Sequence, residues 1–209
     1  MSLTRRGFLI GVPAFLASCT TNGSVQQAMY GPLPDEKFPL DRVPLEKIRP
    51  ELRRTEVAYE SKHPVRTIVV DTPARRLYYV LGNGRAMRYG IGVGRNGYSL
   101  AGWAHVGRKA EWPSWTPSPN MIRTHPEKNL KYAGGVPGGP MNPLGARAMY
   151  LYQHGHDTMF RIHGTNQPQS IGLAMSSGCV RMMNHDVIDL YNRVEVGDRV
   201  FVIQGVRDV

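Results

Sequence analysis

The chain has 209 residues and a mass of 23.3 kDa, with 41% hydrophobic and 20% charged residues, enough for one globular domain plus an extension and too few for a multidomain assembly. No apolar run reaches the roughly 18 residues of a membrane-spanning helix, and the composition excludes collagenous and wholly disordered chains. A net charge of +10 and a pI near 9.9 favour an anionic partner, whether nucleic acid, an acidic membrane surface or an acidic polymer such as a cell wall, without choosing among them.

The chain opens with MSLTRRGFLIGVPAFLASCT, in which Arg5-Arg6 precede an apolar stretch from Phe8 to Ser18. This is an export signal in outline: the stretch is too short to span a bilayer, and Gly11 and Pro13 weaken it as a helix. Thr4 to Leu9 resembles the twin-arginine address for export of folded proteins, an ordinary secretion signal being the alternative. Leu16-Ala17-Ser18-Cys19 resembles a bacterial lipobox and falls where a signal peptidase cuts, so Cys19 is expected to carry lipid as the first mature residue. Plain cleavage after Ala17 or Ser18 is the alternative. Removal of residues 1–18 leaves 24 basic against 16 acidic residues, so the mature chain stays basic. Cys179 is the second cysteine, and with Cys19 lipidated no internal disulfide forms.

Five prolines between residues 32 and 50 break any long helix or strand. Residues 19–63 therefore read as a Pro-rich tether and partly ordered lead-in, with one helical turn around Pro50 to Thr55. From Val65 onward short β-like runs alternate with turns. Leu77 to Leu81 and Ala86 to Ile91 flank Gly82-Asn83-Gly84, a hairpin signal. Gly92-Val93-Gly94-Arg95-Asn96-Gly97 matches a dinucleotide-binding glycine pattern, with Glu111 near the place of a ribose-binding acid. No helix start follows it, so it reads as a β-turn. The stretch from Trp103 to Gly145, with Trp112-Pro113-Ser114-Trp115 and two Gly-Gly pairs, is expected to carry little regular structure; part of it reads as a flap or cleft wall, and the apolar area of the two Trp side chains argues against the alternative of an exposed disordered insertion.

Ala146 to Tyr152 and Thr158 to His163 flank a second hairpin turn at residues 153–157. Val187, Leu190, Tyr191 and Val194 recur at helical spacing behind Asn184, the expected N-cap, and Arg199 to Ile203 reads as a last strand. The sum is a mainly β domain of residues 64–204 with one or two short helices. His105, His125, His154, His156, His163 and His185 show no metal-binding spacing, so no metal or cofactor is expected. The basic residues are scattered without a nucleic-acid module, and an export signal points away from nucleic acid.

Chemistry concentrates at Arg161-Ile162-His163-Gly164-Thr165 and, sixteen residues after the histidine, at Cys179 within Ser176-Ser177-Gly178-Cys179-Val180-Arg181. A thiol with a pKa near 8.5 is only a few per cent ionised at neutral pH, and a neighbouring imidazole activates it. A tight Ser-Gly-Cys turn can converge backbone N–H groups on an oxyanion. No acidic residue adjoins His163, which leaves a backbone carbonyl such as that of Gly164 to orient the ring.

These residues resemble the L,D-transpeptidase (YkuD-like) catalytic domain, whose signature is a histidine followed 14 to 17 residues later by S/T-x-G-C, a hydrophobic residue and Arg or Asn. The resemblance rests on His163, Ser176, Gly178, Cys179, Val180 and Arg181, with Met141-Asn142-Pro143-Leu144-Gly145-Ala146 similar to the family's N-P-L-G segment. Ser177 stands where many members carry histidine. The resemblance implies a mixed β-sandwich and a peptidoglycan stem-peptide substrate. It implies Cys179 as nucleophile, His163 as general base and later acid, the Gly164 carbonyl as orienter, and the Gly178 and Cys179 amides as oxyanion donors. Ser176, Ser177 and Arg181 are the implied substrate-binding residues, Arg181 for a stem carboxylate or, alternatively, as a loop-stabilising group.

The implied reaction releases D-alanine from a tetrapeptide stem, forms a thioester at diaminopimelate and passes it to an amine, giving a 3–3 cross-link or attaching a protein. Hydrolysis by the same thiol (an L,D-carboxypeptidase) and an inactive wall-binding lipoprotein are the alternatives. The expected location is periplasmic, with membrane anchoring through lipid on Cys19.

Overall fold

Alternating apolar residues build most of a mixed sheet: β1 Thr55–Ala58, β2 Ile68–Asp71, β3 Arg76–Gly82, β4 Arg85–Gly90, β6 Gly102–Glu111, β7 Arg147–Gln153, β8 His156–His163, β10 Val180–Arg181 and β11 Arg199–Ile203. Two short strands, β5 Val93–Gly94 and β9 Ala174–Ser176, pair separately. The computed structural model describes residues 20–94, 100–176 and 178–204; Cys19, residues 1–18 and Ser177 lie outside these. The sheet order is β1-β4-β3-β2-β11-β6-β7-β8-β10. Its pairs are antiparallel except β2 with β11 and β8 with β10.

The sheet rolls back on itself. Gly92, just past β4, exchanges backbone hydrogen bonds of 2.9 and 2.8 Å with Arg181 of β10 at the far edge. The concave side holds the core: Ile68, Leu77, Tyr89, Met149, Leu151 and Ile162 are sealed against Val187 and Leu190 of helix α4, Asn184–Arg193. Each such side chain contributes about 1.5–3 kcal/mol of burial free energy. This is the mainly β mixed architecture expected, its two layers being halves of one sheet.

Both hairpins, the last strand and α4 lie where periodicity places them, with His154 and Gly155, at φ 49° and 80°, forming the second turn. The stretch from Trp103 differs from expectation. Its first part is β6, a ten-residue interior strand. Ala104 and Val106 face the core, but a bulge at Gly107 interrupts the alternation, and that broken period hides the strand. Only after Trp112 is the chain irregular, apart from short helices α2, Pro119–Thr124, and α3, Pro126–Asn129, the latter continued by a 3-10 turn at Leu130–Tyr132.

In the lead-in the helical turn expected around Pro50 is present at Pro50–Leu52. What differs is that helix α1, Thr20–Met29, and strand β1 precede the expected start at residue 64, and that the segment packs against the domain. Tyr30 is fully buried and its hydroxyl accepts from the Arg54 backbone N–H. Glu36 takes two hydrogen bonds from Arg147, at 2.9 and 2.6 Å, and one from Trp112 Nε1 at 3.0 Å. The Arg147 side chain is 7% exposed, and without Glu36 it keeps the exposed Glu111 carboxylate at 3.8 Å as a weaker partner, so removing Glu36 leaves a buried cation largely uncompensated. Glu36→Ala is expected to cost about 3 kcal/mol; a loss below about 1 kcal/mol in urea unfolding would place this contact among weak surface pairs.

Candidate active site

The site is set by strand register. Tyr150 of β7 pairs with Arg161 of β8, and Ala148 with His163. On the other side of β8, parallel β10 sets Val180 against Ile162 and Arg181 against His163. Continuing that register back by one residue brings Cys179 beside Arg161. Residues two apart on a strand share a face, so Cys179 and His163 stand on one side of the sheet as diagonal neighbours, roughly 7 Å apart at the backbone. Ile162 and Val180, between them, point into the core.

His163 is 4% exposed, and its Nδ1 lies 2.6 Å from the Gly164 carbonyl oxygen. A carbonyl only accepts, so Nδ1 carries the proton and Nε2 keeps its lone pair for a substrate-side proton. Burial lowers the imidazole pKa to about 4 and outweighs the opposing Gly164 bond; the Arg181 and Arg161 charges push it further down. Burial likewise pushes the Cys179 thiol up, against the Arg161 backbone bond and the Arg161 and Arg181 charges. At neutral pH both groups are therefore uncharged, a state in which an imidazole can take a thiol proton only as the sulfur attacks, with no thiolate held in advance. The Cys179 Sγ lies 3.9 Å from the Met159 carbonyl oxygen, against the edge of β8.

The turn before Cys179 is held by glycines. Gly178 has φ 131°, a conformation that favours glycine. Parallel β5 and β9 pair Val93 with Ala174 and Gly94 with Ser176. A Cβ on Gly94 would lie 2.6 Å from Gly178 Cα and 2.7 Å from its nitrogen. The glycine pattern read as a β-turn thus starts as a strand packed under the turn before Cys179. Its residues 95–97 lie outside the described set.

Asn184, expected to cap α4, does not do so: Met183 holds that position without a side-chain cap. Its Oδ1 instead accepts from Ala146 N at 3.0 Å and Thr165 N at 3.2 Å, tying the segment after Leu144 to the loop after His163. Gly145 and Gly164 approach so closely that a Cβ on either would meet this oxygen at 2.2 and 2.3 Å. The peptide that orients His163 is thereby fixed. Buried Asn142 braces the same segment, donating to the Val136 and Pro137 carbonyls and accepting from Leu144 N.

His163, Gly164, Gly178, Cys179 and Arg181 come together here. Arg181 faces the side of His163 and Cys179, has no carboxylate within ion-pair distance among the described residues, and has its pKa lowered by burial. Ser176 contributes its backbone through β9; Ser177 and Cys19 lie outside the described residues. No group of three or more His, Cys, Asp or Glu able to hold a metal occurs among the described residues.

The family model of the YkuD L,D-transpeptidase catalytic domain matches residues 65–202. The probable L,D-transpeptidase ErfK/SrfK of Escherichia coli K12 is 38% identical over 139 residues, 65% of this chain and 43% of that protein. The probable L,D-transpeptidase YbiS of the same strain is 37% identical over 136 residues, 64% of this chain and 43% of that protein. The chain thus spans under half the length of these curated relatives. A crystal structure of a protein described as a probable carnitine operon oxidoreductase from Brucella melitensis is 44% identical, with a TM-score of 0.51 over 78% of this chain and 98% of that one.

Proposed function

Because the chain belongs to the YkuD family of L,D-transpeptidase catalytic domains, we propose that it is a peptidoglycan L,D-transpeptidase acting through a Cys179 thioester. The observation that carries this reading is the pairing of β8 with β10, which aligns Cys179 with a histidine whose Nδ1 is held at 2.6 Å by Gly164. The Cys179 thiol gives its proton to His163 Nε2 as sulfur attacks the carbonyl of diaminopimelate. The oxyanion forms opposite the Gly178 and Cys179 amides. As the C–N bond breaks, the imidazolium returns the proton to the departing D-alanine amine, leaving a thioester. An acceptor amine then attacks, its proton passes to Nε2, and the C–S bond breaks with the thiol reprotonated. Burial of His163 matches this cycle, since the neutral imidazole that each attack needs is its resting form. Arg181, a partly buried cation beside both groups, binds a carboxylate of the reacting residue. Arg5-Arg6 and the Leu16 to Cys19 segment support export to the periplasm and a lipid anchor.

The test is mass spectrometry of the purified chain with a tetrapeptide stem, alone and with a second stem as acceptor. Release of D-alanine with formation of a 3–3 linked dimer is the expected result. Tripeptide alone would make the enzyme a carboxypeptidase. No product, and no covalent adduct with a carbapenem on the folded chain, would leave a wall-binding protein as the reading.

A further inference from the structure

Resting on the stem-peptide reading, we infer that Arg108 is the anchor for a second carboxylate of the stem, the one carried by the glutamyl residue preceding diaminopimelate. Arg108, Tyr150 and Arg161 follow one another across β6, β7 and β8 by direct pairing, and the register of β10 ends this row at Cys179. Arg108 belongs to the row only because of the bulge at Gly107. Val106 pairs with Leu151 on the core side; the extra residue turns Arg108 to the opposite side, where it pairs with Tyr150. That bulge needs glycine, since a Cβ there would lie 2.3 Å from the Tyr152 ring.

The row presents one open cation. The Arg108 guanidinium carbon lies 3.6 Å from the Tyr150 ring centroid, and that of Arg161 lies 4.3 Å from it. Arg161 is neutralised by a two-pronged bond to Asp157 at 2.7 and 2.9 Å. Arg108 is exposed and has no carboxylate within ion-pair distance among the described residues. Stacking fixes the plane of the guanidinium and leaves its edge N–H groups available, the arrangement in which arginine takes a carboxylate in two bonds. Held above Tyr150, it is two strand spacings from β10, about 10 Å. A peptide advances about 3.3 Å per residue, so this distance is about three residue lengths from the diaminopimelate carbonyl at Cys179; one residue, the extra methylenes of a glutamyl unit and the hydrogen-bonded carboxylate–guanidinium contact together span it. Arg181, beside the thiol, is too near for that group, and the two arginines divide the stem's carboxylates between them.

Binding measured in a Cys179→Ala background separates this inference from turnover. Two tetrapeptides, identical except that the glutamyl α-carboxylate is free or amidated, are titrated by calorimetry into the parent and into Arg108→Ala and Arg108→Lys. The free acid is expected to bind about tenfold more tightly to the parent, Arg108→Ala to erase that preference, and Arg108→Lys to restore part of it, keeping charge without the fork. Equal preference in parent and Arg108→Ala, or binding of neither peptide, overturns the inference. The transpeptidase reading fails separately, on absence of product with the unsubstituted chain.

Discussion

His163→Ala is expected to slow acylation of Cys179 by about 10²–10⁴-fold, and Cys179→Ala to abolish it. The pH dependence is the sharper test. A neutral base is required, and the buried imidazole has a pKa of about 4 in place of the ordinary 6.5. The rate of adduct formation by a carbapenem should therefore stay level from pH 8 down to pH 5 and be halved near pH 4. The thiol adds no limb in this range because its own pKa is raised. Stability shifts in the same window. Between pH 6.5 and about 4 the unfolded chain binds a proton that folded His163 refuses, so this residue's contribution falls as pH falls, by about 3 kcal/mol in total. Rates must thus be read beside urea midpoints at each pH, to separate titration of the base from unfolding. A limb near pH 6.5 on a fully folded chain would mean that the imidazole is solvated or paired with a thiolate, and the concerted proton transfer would have to be abandoned.

The Cys179–His163 pair, proposed above as nucleophile and base, stands out in the sequence because its setting is local. A Gly-Cys turn and a histidine at a strand end carry their chemistry within a few residues. The hairpins at Gly82-Asn83-Gly84 and at His154-Gly155 were legible for the same reason, turn chemistry being a property of adjacent residues. What stayed hidden depends on partners far along the chain. The lead-in looks like a tether by its prolines, yet Tyr30 and Arg54 are buried and Glu36 half-buried through contacts with residues roughly a hundred positions away or more, among them Arg147, His185 and Asp189. Charged side chains in such contacts give no periodic signal. The strand holding Arg108 was obscured by its bulge, and without the strand neither the Arg108–Tyr150–Arg161 row nor its alignment with Cys179 can be drawn. Asn184 sits where a cap belongs, and only the proximity of Gly145 and Gly164 reveals that its carbonyl is spent on loop backbone.

Gly94→Ala should reduce acylation at least about 100-fold, the scale set by misplacing a reacting group by 1 Å, with a stability loss of about 1–3 kcal/mol from overpacking. The added methyl would lie 2.6 Å from Gly178 Cα and 2.7 Å from Gly178 N. Both are backbone atoms, so no flexible side chain can yield, and one of the two segments must move. The β5–β9 ladder is only two residue pairs long, whereas Gly178 is separated only by Cys179 from β10, which is locked to β8 and to Gly92. Displacement therefore falls on the turn between them, which carries the Gly178 amide and the Cys179 sulfur. The loss should appear in the rate of acylation rather than in initial affinity, because what moves is the attacking atom and the oxyanion donor. Gly134→Ala is the control: no atom lies within 4 Å of a Cβ there and its φ is not positive, so rate and melting temperature should stay close to those of the parent. Parental acylation by a folded Gly94→Ala chain would show that the turn tolerates this displacement and that the close approach of the two glycines serves packing alone.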